Sequence, residues 1–304
     1  MVLIPTQPQH DGSRRRRRRV FWSVTALACA FVAWWGTGLA AAWLMTRGHP
    51  VAFAARAELG GRAVEAVATT TVDGLTVRGW LVSTAAASSR CVLLAAGIRG
   101  NRLAMQTRAE WYLANGWSAL LVDLRGTGES DSARVSMGWH EALDLLAWHA
   151  FLRQRGFTAI GAHGQSLGAA AITFTAVRSD RAPVWHFVVL ESCYRDAEVA
   201  LRARLPGVPR FLLWPLEVSC AWLMQVDPAK LRPLAAIHSL NAPTLLACGT
   251  IDEKVGPDAL ALLLAASPAR DKRRVDIAGA GHVDLWRAGG DTLPRALGEF
   301  LAGR

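Results

Sequence analysis

Cysteine is scarce in this sequence, with five residues in a chain of 304, and no internal repeat is present. The cysteine spacing forms no obvious disulfide framework and matches no zinc-site pattern. Cys91 and Cys248 lie in apolar, strand-like runs and are predicted to be small core residues. Cys193 and Cys220 could pair in an oxidising compartment. We predict neither a metal ion nor an organic cofactor.

Basic charge is scarce outside the N-terminal region. The net charge is +10, but the first 49 residues hold seven arginines, Arg14 to Arg19 and Arg47, against the single acid Asp11. The remaining residues therefore carry only +4, and no basic face interleaved with aromatic residues is visible among them. This distribution argues against a nucleic-acid partner.

Charged residues are missing altogether from residues 20–45, a stretch of 26 dominated by Leu, Ala, Val, Phe and Trp. It exceeds the ~20 residues that a helix needs to cross a bilayer. Trp22 and Trp43 lie near its ends, where amphipathic rings favour the headgroup level. Six arginines precede it and only Arg47 follows it closely, so the N-terminus is expected in the cytoplasm. We predict a single-pass protein of the cytoplasmic membrane with its catalytic domain outside the cytoplasm.

Two other interpretations of this stretch remain open. A buried core helix seldom runs so long without polar residues, whereas a cleaved signal peptide is favoured by the small residues at 40–42. Because signal peptides usually have a shorter apolar core, we prefer an uncleaved anchor, with export after cleavage as the alternative. The predicted organisation is an Arg-rich tail (1–19), a transmembrane helix (20–45), a linker (46–70) and a catalytic domain (71–304).

Predicted strands and helices alternate along the catalytic domain. Buried apolar runs such as Cys91–Ala96 and Ser118–Asp123 alternate with segments of helical spacing, which predicts an α/β fold with a mostly parallel sheet covered by helices on both faces. Residues 71–82 alternate around Asp73 and Gly74, which predicts an antiparallel edge hairpin. Residues 193–241 interrupt the alternation and predict a small lid insertion, although a longer surface connection would give the same pattern.

The sequence Gly-Gln-Ser-Leu-Gly at 164–168 lies between a predicted strand and a predicted helix. The pentapeptide alone is common, but a strand, a Gly-x-Ser-x-Gly turn and a helix together describe a nucleophile elbow that exposes Ser166. The two glycines are required because the sharp bend leaves no room for side chains where strand and helix nearly touch. This context makes an enzyme the leading hypothesis.

A serine hydroxyl needs a histidine to accept its proton and a carboxylate to orient that histidine. In a strand–elbow–helix architecture these follow in the order serine, acid, histidine. Asp252 and His282 each lie just beyond a predicted strand and fit that order. Asp123 and Glu191 also end strands and remain alternative acids, while His163 is expected to be structural.

Acyl transfer also requires donors for the oxyanion that forms at the attacked carbonyl. The backbone N–H of Leu167, the residue after the serine, is the first candidate. The second is expected in the loop 97–102, and we assign it to the N–H of Ile98. An ordinary strand-to-helix turn would contain the same glycines.

The chain resembles the α/β-hydrolase superfamily, and within it the serine aminopeptidase-like branch of bacterial, often membrane-anchored hydrolases. The resemblance spans roughly residues 60–304, and its motifs lie at 97–102, 123–130, 164–168, 249–253 and 279–282. It implies an α/β-hydrolase fold, a triad of Ser166, Asp252 and His282, and an oxyanion hole at Ile98 and Leu167. Relatives usually have a histidine where this chain has Ala96, which puts the support of the oxyanion loop in question.

These observations lead to a serine hydrolase that cleaves an ester, thioester or amide through an acyl-enzyme. A carboxylic ester with a lipid-like or small acyl group is preferred, because the apolar insertion and the anchor suggest substrates near a bilayer. An aminopeptidase-type peptidase is one alternative, and it would require a carboxylate such as Asp196 or Glu217 to hold a substrate ammonium. A catalytically weak, membrane-tethered binding module on the same scaffold is another.

Overall fold

The computed structural model describes residues 11–84, 89–179, 182–255, 258–282 and 285–304, and side chains from residue 14 onward. A nine-stranded sheet runs through them in the order β9-β8-β7-β6-β4-β5-β3-β2-β1. Its strands are β1 (Glu58–Leu59), β2 (Arg62–Thr70), β3 (Thr76–Val82), β4 (Arg90–Ala95), β5 (Ser118–Val122), β6 (Ala159–Gln165), β7 (Phe187–Glu191), β8 (Thr244–Gly249) and β9 (Lys272–Ile277). The strands from β4 to β9 pair in parallel, whereas β1, β2 and β3 form the antiparallel edge.

Helices connect the strands and cover both faces. They are α1 (Asp11–Thr46), α2 (Gln106–Ala114), α3 (Glu141–Gln154), α4 (Leu167–Thr175), α5 (Ala197–Ala203), α6 (Arg210–Met224), α7 (Pro233–Ala236), α8 (Ala259–Ala266), α9 (Leu285–Ala288) and α10 (Thr292–Leu301). Short 3-10 turns at Arg102–Met105, Pro228–Lys230 and Ile237–Ser239 complete the described helical segments. The predicted mostly parallel sheet with helices on both sides is confirmed.

The sheet separates two apolar cores because alternate residues of a strand point to opposite faces. In β4, Cys91 and Leu93 pack on the face covered by α3, α4 and α8, whereas Val92 and Leu94 pack on the face covered by α2 and α10. Both faces of β4 are therefore buried, which is why its sequence is a continuous apolar run.

The edge hairpin begins earlier than predicted. Strand β2 starts at Arg62, inside the segment predicted as a linker, and pairs with β3 from Val64 to Thr70. Burial alternates around the centre of β2, since Val67 is buried while its neighbours Ala66 and Ala68 are exposed. His49 and Pro50 also pair with the glycine loop at Thr127–Gly128, so much of residues 46–70 is structured.

The chain divides into two compact units. One comprises the N-terminal helix up to Met45 together with Val208–Cys220, and the other comprises Thr46–Gly207 together with Ala221–Arg304. Within the described residues, Arg14–Thr46 is the one helix with the length and composition of a membrane span, and a signal sequence would meet the same criterion. The five cysteines are all free thiols.

The predicted insertion at 193–241 is not a single element. Ala200 near its start and Ala236, Ile237 and Leu240 near its end are buried in the core on the α3–α4–α8 face of the sheet. Apolar residues at both ends thus anchor it to the sheet unit. Only its middle, Val208–Cys220, belongs to the unit of the N-terminal helix.

Candidate active site

Ser166 lies in the bend between β6 and α4. Its φ of 51° is unusual for a residue with a side chain and reflects the sharp turn from strand to helix. A Cβ on Gly164 would overlap the backbone at Gly168, and a Cβ on Gly168 would overlap the carbonyl of Ala95. The two glycines are therefore needed for steric reasons, as the sequence pattern predicts.

His282 joins the serine to a carboxylate. Its Nε2 lies 2.9 Å from the Ser166 hydroxyl oxygen, and its Nδ1 lies 2.9 Å from Oδ2 and 3.1 Å from Oδ1 of Asp252. Asp252 follows β8 and His282 follows β9, so neighbouring parallel strands deliver both side chains to the same edge of the sheet. Three residues spread over 117 positions thus come within hydrogen-bond distance of one another.

The environment keeps Asp252 ionised. Burial alone would raise its pKa, but the hydrogen bond and the charge of His282 outweigh burial and lower the pKa below its usual value. The backbone N–H of Lys254 also donates to Oδ1, at 3.0 Å. An ionised carboxylate on Nδ1 holds the imidazole with Nε2 facing the serine, the orientation in which Nε2 can accept a proton.

The two alternative acids are engaged elsewhere. Asp123 is fully buried and accepts hydrogen bonds from the backbone N–H of Arg102 at 2.8 Å and from its side-chain Nε at 2.9 Å. Glu191 is fully buried and pairs with Arg108 and His163. Among these acids, only Asp252 contacts His282 in the described residues.

The predicted oxyanion loop lies next to the serine. A Cβ built on Gly97 would be 3.4 Å from the Cβ of Ser166, which places the backbone before Ile98 against the candidate nucleophile. The N–H of Gly100 donates to the carbonyl of Gly97 at 2.9 Å and closes the loop into a turn. In the part of the chain that the structure describes, the backbone N–H groups of Ile98 and Leu167 have no protein acceptor.

Comparison with known proteins gives the fold and the family. No family model matches the chain. An uncharacterised protein of Mycobacterium tuberculosis, Rv2307c, is 30% identical over 238 residues, which is 76% of each chain. This chain belongs to the Rv2307c family.

Solved structures identify the fold of this chain. The Pyrococcus furiosus esterase Pf2001 is similar with a TM-score of 0.68 and 21% identity, over 84% of this chain and 98% of its own. The alpha/beta hydrolase GrgF from Penicillium sp. sh18 has a TM-score of 0.60 and 17% identity, over 78% and 97% respectively. The predicted α/β-hydrolase fold is confirmed.

Ala96, where relatives usually have a histidine, lies against the predicted oxyanion loop. Ala96 is buried, and a Cβ on Gly100 would approach the Ala96 Cβ to 2.9 Å, so the loop folds tightly over a small side chain. The end of the loop is fixed by Arg102, which pairs with Asp123. The Asp123 carboxylate also accepts the backbone N–H of Glu129 at 2.9 Å. A buried ion pair thus links the predicted oxyanion loop to Glu129, directly after the glycines at 126 and 128.

A second buried cluster lies beneath the elbow and was missed in the sequence. Glu191 accepts hydrogen bonds from Arg108, from the indole N–H of Trp286 at 2.9 Å, and from His163 at 2.6 Å. The Tyr112 hydroxyl lies 3.2 Å from the other ring nitrogen of His163. The carbonyl of Glu191 accepts the N–H of Ser166 at 2.8 Å, so this cluster directly supports the elbow.

The surroundings fix the protonation states of Glu191 and His163 in this cluster. Burial would raise the pKa of Glu191, but Arg108 and His163 outweigh it and hold that pKa far below its usual range. Burial lowers the pKa of His163, which is therefore neutral and donates from Nε2 to Glu191. No local sequence pattern could have revealed the cluster, because Arg108, Glu191 and Trp286 come from distant parts of the chain.

Proposed function

We propose that this chain is a serine hydrolase that cleaves carboxylic esters through Ser166, His282 and Asp252. The observation that carries the proposal is the geometry of His282, with 2.9 Å contacts to the Ser166 hydroxyl and to the Asp252 carboxylate. This arrangement matches the donor and acceptor roles that nucleophilic catalysis by serine requires.

In the proposed reaction, Ser166 Oγ attacks the ester carbonyl carbon while His282 Nε2 takes the hydroxyl proton. The negative charge that develops on the carbonyl oxygen is stabilised by the N–H groups of Ile98 and Leu167. His282 then protonates the leaving alkoxide, and the carbon–oxygen bond to the alcohol breaks to give an acyl-enzyme. Water, deprotonated by the same histidine, releases the acid and restores Ser166.

Two observations support an ester rather than a peptide substrate. The similar Pf2001 structure is that of an esterase. Asp196, one of the carboxylates that could hold a substrate ammonium, instead caps α5 through the N–H of Glu198 and pairs with Arg232 Nε at 3.0 Å. Membership of the serine aminopeptidase-like branch therefore remains a resemblance of motifs, and the expected substrate is a small or lipid-like acyl ester.

A fluorophosphonate probe should label the full-length protein at Ser166, because the probe forms a covalent bond only with an activated serine. Mass spectrometry of the labelled peptide locates the adduct, and Ser166→Ala should lose both the label and turnover. Turnover rates on a panel of p-nitrophenyl esters and aminoacyl p-nitroanilides then separate the esterase hypothesis from the peptidase hypothesis. Faster turnover of the anilides would favour the peptidase, whereas full labelling without turnover of either class would favour a binding module.

The anchor and its orientation form a separate proposal. We expect residues 20–45 to remain uncleaved in the cytoplasmic membrane, with the arginine-rich tail in the cytoplasm. A C-terminal alkaline phosphatase fusion should therefore be active in the host, and the protein in membrane fractions should retain its N-terminal sequence. An inactive fusion would reverse the orientation, and a mature N-terminus near residue 42 would identify a signal peptide.

A further inference from the structure

Part of the predicted lid insertion has a surface that is unusual for a protein in water. Within Val208–Cys220, the side chains of Phe211, Leu212, Trp214 and Val218 are 67%, 44%, 50% and 39% exposed. Positions 211, 214 and 218 follow helical spacing and therefore form one apolar face of α6. Contiguous exposed apolar faces of this kind mark an interaction surface.

The same segment packs on the N-terminal helix. The indole N–H of Trp34 donates to the carbonyl of Leu212 at 3.1 Å. The ring of Trp214 lies edge-on to that of Trp35, with centroids 5.1 Å apart, and 6.3 Å from that of Trp34. These contacts join the segment to α1 within one compact unit.

Close approach of the two backbones requires a glycine. A Cβ on Gly38 would lie 2.6 Å from the Cβ of Pro215 and 2.8 Å from the N of Leu216, which is closer than real atoms come. The neighbouring glycine, Gly36, would meet nothing within 4 Å. Small residues at such positions are typical of helix packing in membranes.

The residues of α1 that contact this segment lie well inside the uncharged stretch of the helix. Gly38 and Trp34 precede Arg47 by nine and 13 residues, which corresponds to about 13 and 20 Å along a helix. If α1 spans the bilayer, a segment packed against these residues lies at hydrocarbon depth. The segment carries two charged residues: Arg210, which is exposed at the start of α6, and Glu217, whose Oε1 is buried without a hydrogen-bond partner among the described residues.

We propose that Val208–Cys220 is embedded in the acyl-chain layer of the bilayer, where Phe211, Trp214 and Val218 contact lipid. The inference rests on the proposed membrane anchor. It extends that proposal, because the chain would then enter the membrane at a second point, some 170 residues after the first. Pro215 leaves the carbonyl of Phe211 without its usual donor within α6, and the Trp34 indole donates to the carbonyl of the next residue, Leu212.

Site-directed spin labelling of the full-length protein in phosphatidylcholine–phosphatidylglycerol liposomes tests the proposal. Single cysteines replace Phe211 or Val218 in a Cys29→Ala, Cys220→Ala background. The remaining thiols are buried, and burial raises the pKa of both Cys193 and Cys248 to about 12, so they should not react.

Three further single-cysteine variants serve as references. Val32→Cys reports on α1, and Val72→Cys and Val184→Cys, both 87% exposed, report on water-exposed sites of the sheet unit. Fluorophosphonate labelling checks that each variant is folded.

We expect labels at 211 and 218 to resemble the label at 32, with an oxygen-to-nickel-chelate accessibility ratio several-fold above that at 72 and 184. If 32 is lipid-exposed but 211 and 218 are water-exposed, the inference fails while the anchor stands. Low access to both reagents at 211 and 218 would mean that protein, such as a second copy of the chain, covers this face, and would also overturn it. Water exposure at 32 would overturn the anchor and the inference together.

The packing itself has a matched control. Gly38→Leu should separate the segment from α1 and increase the mobility of a label at 218, because its side chain would overlap Pro215. Gly36→Leu adds a side chain of the same size at a position with no other atom within 4 Å of a Cβ, and should leave that mobility unchanged. Equal spectra for the two variants would show that the segment does not pack on α1, and would overturn the proposal.

Discussion

Replacing His282 with alanine is expected to lower kcat for the preferred ester by a factor on the order of 10⁴ or more. Without the imidazole, the triad has no group that can accept the Ser166 proton as the hydroxyl attacks. Asp252→Asn should cause a loss of about 10⁴-fold as well, because an amide can stabilise the wrong tautomer of His282. Steady-state kinetics on the purified full-length variants measure both effects.

Exposed His238 provides the control for this prediction, since it lies in a surface 3-10 turn and takes no part in the cluster. His238→Ala should retain the parent kcat. The effects of the His282 and Asp252 substitutions should also be far from additive, because the side chains act as a unit. A His282→Ala variant with more than a tenth of the parent kcat would remove His282 from the proposed mechanism.

Glu191→Gln is expected to lower the free energy of unfolding by about 3–5 kcal/mol. The substitution keeps the shape of the side chain but leaves the buried guanidinium of Arg108 without its counter-charge. The surface pair of Glu65 and Arg155, whose side chains are 50% and 42% exposed, offers a matched comparison. Glu65→Gln should cost only about 0–1 kcal/mol, because water screens that pair. Urea unfolding of the detergent-solubilised proteins measures the difference.

The stabilisation by Glu191 should depend on pH in a defined direction. Its folded pKa lies below the unfolded value of about 4.3, so its contribution is fully present above that value and is lost as pH falls through the folded pKa. The stability gap between the parent and Glu191→Gln should therefore narrow on strong acidification. A gap of less than 1 kcal/mol at neutral pH would show that the buried pair contributes no more than the surface pair.

Local patterns predicted those parts of the molecule whose constraints are local. The elbow depends on steric limits among five consecutive residues, so Gly164, Ser166 and Gly168 could be recognised directly. Two-sided burial of the parallel strands depends on consecutive apolar residues, and the sheet followed from it. The start of the hairpin at Arg62 was missed. Small residues such as Ala66 and Ala68 give β2 only a weak alternation of apolar and polar side chains.

The sequence by itself determined the fold class, the candidate nucleophile and a short set of possible acids. Only the tertiary structure decided that Asp252 meets His282, while Asp123 pairs with Arg102 and Glu191 with Arg108. The three carboxylates all end strands, and only the order along the chain and the motif at 249–253 favoured Asp252 in the sequence. What distinguishes them is which cation or imidazole the chain brings within 3 Å, and that depends on residues up to 83 positions away.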